Sequence, residues 1–466
     1  MRALSAEEYE AFARFADSPY FNSDKRIAQL LRLLQPAHPD FRESPATAIN
    51  RLAKALGFNS EEGVRQLRTR TLKLLPAFYA QQELARQPNT ARLLLLDALQ
   101  HRRLEKPLRD EIDAFETQID PDDRPFHTRL RLDNLRLDEL LRNQSSFFVF
   151  EQYIASCNRY FLLEKLKQGC QLLLFQQVYK KTDPHALFDE LDMLLPVQEP
   201  LIRESAALSA WALLFGLLKN PQGQNGFLPL QHYLAQHGAN IPKKERKDLF
   251  RTAANLLTGK LTKGHFNTLE ELNWFYRTQF EQFQLAESEG WLIEDNGFML
   301  PGRFKNVVAA ACNCGQTAWA KNFLRHNQPF LPPEQRSDLL DLCLGSVAFY
   351  EGDYQQAAEH LARVPTRDNE FYFFDTESVR MRIFYLENDY DLFESRHEAV
   401  RRKLKVSELA QVHRDNYGNY FRFLREMFLL KINPETTAAH WSAFRQKVEA
   451  AHPVNQKKWL LERLPE

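Results

Sequence analysis
The residues best suited to chemistry in this chain are a Cys-x-Cys pair, Cys312 and Cys314, a His-Glu dipeptide, His397 and Glu398, and a Gly-Lys dipeptide, Gly259 and Lys260. Thiolates bind zinc in sets of four ligands, and no second cysteine pair or nearby histidine accompanies Cys312 and Cys314. His397 and Glu398 open the pattern of a zinc-protease helix, but Arg401 stands where the second histidine belongs. A phosphate-binding loop needs a glycine five residues before its Gly-Lys and a Ser or Thr after it. This chain has Ala254 and Leu261 at those places. A Gly-x-Ser-x-Gly elbow is also missing, and carboxylate pairs such as Glu270 and Glu271 read as helix-surface charges. The expectation is therefore a protein that is not an enzyme, with no catalytic residue, no metal and no cofactor.

Binding chemistry has two candidates. The first is a segment at residues 45–75 with the outline of a helix-turn-helix: a helix over 45–56, a turn at 57–60 and a helix over 61–75. Its second helix carries Arg65, Arg68, Arg70 and Lys73, side chains that in a recognition helix reach base edges and phosphates. Glu61 and Glu62 stand at the start of that helix, where phosphate would lie, and Gly57 is what any helix C-terminus favours. An ordinary helical hairpin is thus the main reading, and a DNA-associated regulator the alternative. Two further basic runs, Lys243 to Lys247 and Arg401 to Lys405, lie beside acids or at helix ends and read as solvated faces.

The elements that position these residues are helices almost throughout. Ser5 and Glu8 form a capping box, and Pro45, Pro184, Pro242 and Pro434 are placed as first-turn prolines. Pro36, Gly57 and Gly238 mark helix ends. Apolar alternation at strand period is nearly missing, except at residues 291–300, where Asp295, Asn296 and Gly297 between apolar triplets predict a small hairpin.

Residues 304–430 repeat one pattern three times: an apolar helix, a tight turn, a second apolar helix. The turn residues are Gly315, Gly352 and Asn388, with spacings of 37 and 36 residues. Such a period marks stacked helical hairpins, since a lone pair cannot bury its apolar face. Gly345, Ala348, Gly352, Tyr354, Ala357 and Leu361 follow the small-residue pattern of the second copy. Ala311, Gly315, Ala320 and Leu324 precede it, and Phe384, Asn388, Tyr390 and Phe393 follow it, with Phe393 in the place of Ala357.

On these residues the last third resembles the tetratricopeptide-repeat family, and the whole chain, through its Ser-Pro-Tyr-Phe-Asn segment at 18–22, is similar to a group of bacterial helical-repeat proteins to which no activity is assigned. The tetratricopeptide resemblance implies a superhelix whose concave face, lined by the first helix of each pair, grips a peptide or a partner's helix. Those helices fall at about 305–314, 338–350 and 376–386, and Asn306, Asn313, Arg380 and Arg382 are the polar groups expected to face the groove.

Aromatic clusters are the second binding candidate: residues 147–150, 274–276 and 371–374 place rings on more than one helix face. Core packing inside a layered array accounts for most of them. The run at 371–374 follows Pro365 and a polar stretch, so Phe371 and Phe373 are expected at a surface and in partner contact.

Composition bounds the rest. At 466 residues the chain exceeds one ordinary core, and with no Gly/Ser linker or like-charge block it reads as an array. Lys plus Arg equals Asp plus Glu at 61 each, so no whole-molecule attraction to nucleic acid or an anionic membrane is expected. Glu7, Glu8 and Glu10 interrupt any export signal, and the longest apolar stretch, 206–218, is too short to cross a bilayer and reads as a buried helix. Five cysteines argue against a disulfide framework, and a cytoplasmic location is expected. The fold class that follows is all-α, an α-solenoid of stacked antiparallel hairpins: an N-terminal helical cap at 1–87, diverged long helices at 88–303, and tetratricopeptide-like repeats at 304–466. A terminal capping pair over 434–464 carries Trp441 and Trp459. The function that follows is a non-catalytic scaffold for an unidentified protein or peptide.

Overall fold
The computed structural model describes residues 1, 4–41, 48–118, 126–142, 147–179, 185–220, 223–262, 266–294, 296–366 and 369–465. Among these residues there are 23 α-helices, several short 3-10 turns, one antiparallel bridge between Ile293 and Met299, and no strand. The chain divides into two compact units, Met1–Ile119 and Asp120–Glu466.

The first unit holds α1 (Ala6–Asp17), α2 (Lys25–Leu34), α3 (Ile49–Ala55), α4 (Glu61–Arg86), α5 (Pro88–His101) and α6 (Glu105–Gln118). The capping box is present: Glu8 N–H donates to Ser5 Oγ at 3.1 Å, and Ser5 N–H donates to the Glu8 carboxylate at 2.8 Å. Two orphan donors of α1 are satisfied in this way. Tyr9, Phe12, Leu30 and Leu31 then form one core with Val64, Leu67 and Phe78 of α4. Helix α4 runs through Pro76 to Arg86, past the end expected at residue 75. An internal proline costs about 3 kcal/mol, and burial of Phe78 just beyond it, at 3 % exposure, holds the continuation in place. Because α5 packs on α4 and α6 on α5, the unit extends beyond residue 87. Ser44 and Pro45 lie outside the described residues.

The second unit opens with α7 (Phe126–Arg142), α8 (Phe147–Tyr179), α9 (Ala186–Val197), α10 (Glu199–Arg203), α11 (Ala206–Lys219), α12 (Gly223–His237), α13 (Lys243–Thr262) and α14 (Leu269–Ser288). Helix α11 buries Leu208, Trp211, Leu214, Phe215 and Leu218, as its apolar run predicts. No described helix is long and apolar enough to cross a membrane. Pro242 stands just before α13, and its carbonyl accepts from Arg246 N–H at 3.0 Å. Asp183 and Pro184 lie outside the described residues, as does Asp295. The hairpin expected at 291–300 reduces to the single bridge, with Glu294 N–H on Phe298 O at 2.8 Å and Gly297 at φ +81°. Met299 spends its own N–H on Phe330 O at 2.7 Å, which ends any ladder.

The chain then forms α15 (Pro301–Asn313), α16 (Thr317–Asn327), α17 (Arg336–Glu351), α18 (Tyr354–Arg363), α19 (Glu370–Glu387), α20 (Tyr390–Lys405), α21 (Gln411–Ile432), α22 (Ala438–Ala450) and α23 (Lys457–Glu462). The turns between paired helices fall at Gly315, Gly352 and Asn388, with φ of +71°, +84° and +61°. Glycine takes a left-handed φ without steric cost and asparagine tolerates it. Gly345 has a different reason: a Cβ there would lie 2.9 Å from Leu361 Cγ and 3.3 Å from the Ala357 carbonyl, so its absence lets α17 and α18 approach closely. In the third pair Phe393 is fully buried and meets Phe428 of α21 edge-on at 4.8 Å. Pro434 does not start a helix. Glu435 N–H donates to Asn433 Oδ1 at 3.0 Å in a turn that closes α21, and α22 begins at Ala438 behind Thr437. One continuous apolar core runs from Leu162 of α8 to Leu464.

Candidate functional site
The short helix α23 is buried on nearly every side. Lys457, Lys458, Trp459, Leu460 and Leu461 are all 6 % exposed or less. Its first turn follows Gln456, a non-glycine residue at φ +51°. Upstream, Asn419 Nδ2 donates to Pro453 O at 2.9 Å, and Asn455 N–H donates to Asn416 O at 3.2 Å, so α21 anchors the connection.

Trp459 is the centre of this seat. Its ring lies edge-on to Tyr385 of α19 at 5.8 Å and tilted to Phe349 of α17 at 6.5 Å. The Arg382 guanidinium sits beside it, 4.3 Å from the Phe349 centroid, 5.6 Å from Trp459 and 5.8 Å from Tyr350. Arg382 is 2 % exposed, and among the described residues no carboxylate lies within ion-pairing distance of it. Its hydrogen-bond acceptors are neutral: Ser378 O at 3.1 Å and Gln456 Oε1 at 3.4 Å. Ring faces and neutral oxygens carry a charge that would otherwise demand an acid.

Neutral oxygens also hold the two lysines of α23, with a carboxylate added at Lys458. Lys457 Nζ donates to Asn267 Oδ1 at 2.9 Å, Glu449 O at 2.7 Å and Ala451 O at 3.1 Å. Loss of hydration lowers its pKa to about 8 from the ordinary 10.5. Lys458 Nζ donates to Asn313 O of α15 at 2.7 Å, pairs with Glu462 at 2.8 Å, and lies 6.0 Å over the ring of Tyr276 in α14. Burial also raises the hydroxyl pKa of Tyr276, Tyr350 and Tyr420 around the seat.

Of the groups expected to line an open groove, three are turned inward. Arg382 lies in the seat just described. Asn313 donates to Ala309 O at 2.9 Å, accepts from the Tyr350 hydroxyl at 3.3 Å, and gives its carbonyl to Lys458. Arg380 donates to Glu377 at 2.9 Å and to Leu361 O at 2.8 Å. Glu377 is 1 % exposed, so Arg380 is held as its counter-ion. Asn306 is exposed, and Phe371 and Phe373 are half-buried. Lys305, the neighbour of Asn306, lies 5.8 Å over Phe371, which meets His413 edge-on at 5.2 Å. Asp375 joins this group, paired with Lys305 and accepting from the Tyr417 hydroxyl at 2.7 Å. Phe373 touches Phe374 at 5.2 Å.

The chemical motifs resolve as follows. Burial pushes the Cys312 thiol up to about 12 and raises that of Cys314, which leaves neither as a ready thiolate. His397 and Glu398 do meet a third donor, Glu394, one turn earlier, with ligand atoms within 4.8 Å of one another. Arg425 Nε binds both oxygens of Glu394 at 3.0 and 2.9 Å, and Arg401 binds Glu398 at 3.0 Å, so guanidinium groups already neutralise both acids. On α4, Arg65 pairs with Glu61 at 3.5 Å and Glu62 at 3.7 Å, Arg70 pairs with Asp24 at 3.7 Å, and Arg68 and Lys73 are exposed. Arg65 and Arg68 line a cleft of about 590 Å³ with Leu30, Leu34, Phe41 and Ile49.

Sequence reasoning missed Gln456, Lys457, Lys458 and Trp459 as site residues. A signal existed: two lysines run directly into Trp-Leu-Leu, whereas a terminal capping helix keeps a polar outer face. No protein-family model, no curated protein and no solved structure matches this chain.

Proposed function
We propose that this chain is a non-catalytic scaffold that holds a protein or peptide partner on tetratricopeptide-like hairpins between residues 304 and 430. The left-handed turn residues at spacings of 37 and 36, and the glycine-mediated closeness of α17 and α18, support stacked hairpins of that kind. One observation carries the binding role: side chains of α14, α17 and α19, with a backbone carbonyl of α15, already close around a helix, the chain's own α23. A surface that holds one short helix has the shape and chemistry to hold another. Asn306, Phe371 and Phe373 form the part of this region left outside the seat, and a reducing cytoplasm suits the five free thiols.

Affinity capture by the full chain, repeated with Asn306→Arg and Phe373→Ala, tests the reading. The expected result is one protein recovered in constant proportion by the parent chain and lost or reduced with either variant. Equal recovery by all three chains removes this surface from the proposal.

The alternative, DNA contact by α4, has less support, because Arg65 and Arg70 are paired with acids of their own unit. Duplex binding that falls steeply with salt would revive it. No binding at low salt ends it.

A further inference from the structure
We infer that α23 is a displaceable plug in its seat on α14, α15, α17 and α19, and that the partner displacing it brings a helix with a large aromatic ring and a carboxylate. This rests on the scaffold reading and adds regulation to it: the chain occupies its own binding face until a better-matched helix arrives.

Four features weaken the plug relative to its apolar burial. Lys457 and Lys458 are almost entirely removed from water, and Lys457 donates its hydrogen bonds only to neutral oxygens, with Glu449 and Glu271 acting on it from further off, a costly state for an ammonium group. The indole N–H of Trp459 has no hydrogen-bond partner among the described residues. Gln456 begins the helix from a left-handed φ of +51°, which disfavours a side-chain-bearing residue. The fourth is the mismatch at Arg382, whose hydrogen bond to this segment is a long one to Gln456 Oε1, at 3.4 Å. Carboxylate oxygens bind guanidinium more strongly and at shorter range than an amide does.

The segment is also built to leave. Residues 451–456 connect it to α22 without regular structure, held to α21 through Pro453 O and Asn455 N–H. A six-residue helix joined to α22 through such a connection can open locally, below global unfolding. Trp459 and Leu460 fill the volume that a competing helix must fill again, so the ring is part of the requirement. The carboxylate is the part that α23 does not offer to Arg382, because its own Glu462 is paired with Lys458 at 2.8 Å.

Hydrogen exchange on the unmodified full chain, joined to binding of labelled synthetic peptides spanning residues 452–466, tests this. Amides of 457–464 are expected to exchange at least about tenfold faster than those of α17 and α19, reporting an opening below global unfolding. The native peptide should bind in trans and saturate. Its Trp459→Ala version should bind at least about tenfold more weakly, and its Gln456→Glu version about tenfold more tightly. Exchange of α23 only together with α17 and α19 overturns the plug, as does failure of the native peptide to bind. A Gln456→Glu peptide no tighter than the native one overturns the acidic partner. None of these results depends on recovering a cellular partner, so the inference fails separately from the scaffold reading.

Discussion

The guanidinium of Arg382 lies 4.3 Å from the centroid of Phe349 and shares that pocket with Trp459, without an acid to balance it. Replacing a buried charge by an apolar side chain of similar length is often neutral or stabilising, because the desolvation cost disappears along with the charge. Arg382→Met is therefore expected to change unfolding free energy by no more than about 1 kcal/mol. Urea denaturation of the two chains checks this. A loss of several kcal/mol would mean that the ring contacts and Ser378 O hold the cation better than its lack of a carboxylate implies.

Lys457 gives the stability of the chain a sign with pH. Its folded pKa, about 8, lies below the ordinary 10.5, so between these values the unfolded chain binds a proton that the folded chain does not. Stability from this group is lowest below pH 8 and rises as pH climbs toward 10.5, by at most about 3.5 kcal/mol at 1.4 kcal/mol per unit. Burial shifts Lys260 and Lys431 in the same direction, so the comparison must isolate one residue. The stability difference between the parent chain and Lys457→Met should widen in favour of the parent from pH 7 to pH 10. A constant difference would show that Lys457 keeps its proton throughout.

Local features of this fold were legible in the sequence, and long-range ones were not. Gly315, Gly352 and Asn388 announced their turns because a left-handed φ restricts residue type at the position itself. Ser5 and Glu8 announced a helix start because both partners of the capping box lie within one turn. The seat of α23 had no such local mark: Lys458 meets a carbonyl 145 residues away, and Lys457 meets an amide 190 residues away. Arg382 and Arg380 were expected to face the groove because they are polar residues of a first helix. Helix α19 buries Tyr372, Phe374, Thr376, Glu377, Ser378, Val379, Met381 and Arg382, residues pointing to all sides of the helix, so no apolar stripe told its inner face from its outer one. The cluster of Glu394, His397 and Glu398 was half visible, since the zinc-protease pattern asks for a second histidine one turn later and is silent on a glutamate one turn earlier.

Two glycines inside helices should respond oppositely to alanine. At Gly345 a Cβ meets Leu361 at 2.9 Å in a closely packed pair, and overpacking of that kind costs roughly 1–3 kcal/mol. At Gly216 of α11 a Cβ meets nothing within 4 Å, so the gain in helix propensity, about 1 kcal/mol, stands alone. Thermal melts should show Gly345→Ala below the parent and Gly216→Ala above it. A gain from Gly345→Ala would mean that α17 and α18 separate without cost.

Arg380, two residues before Arg382 on the same helix, should behave as its opposite. Glu377 is 1 % exposed and depends on Arg380 at 2.9 Å, with Arg396 more distant at 3.8 Å. Removing one partner of a buried pair strands the other's charge, at about 3–5 kcal/mol. Arg380→Met alone should therefore be strongly destabilising. Combined with Glu377→Gln it should recover most of that loss, since no buried carboxylate remains to be neutralised. A double-mutant cycle by urea denaturation measures the coupling directly. Additive effects of the two substitutions would show that Arg396 suffices for Glu377, which would release Arg380 to act on a partner instead.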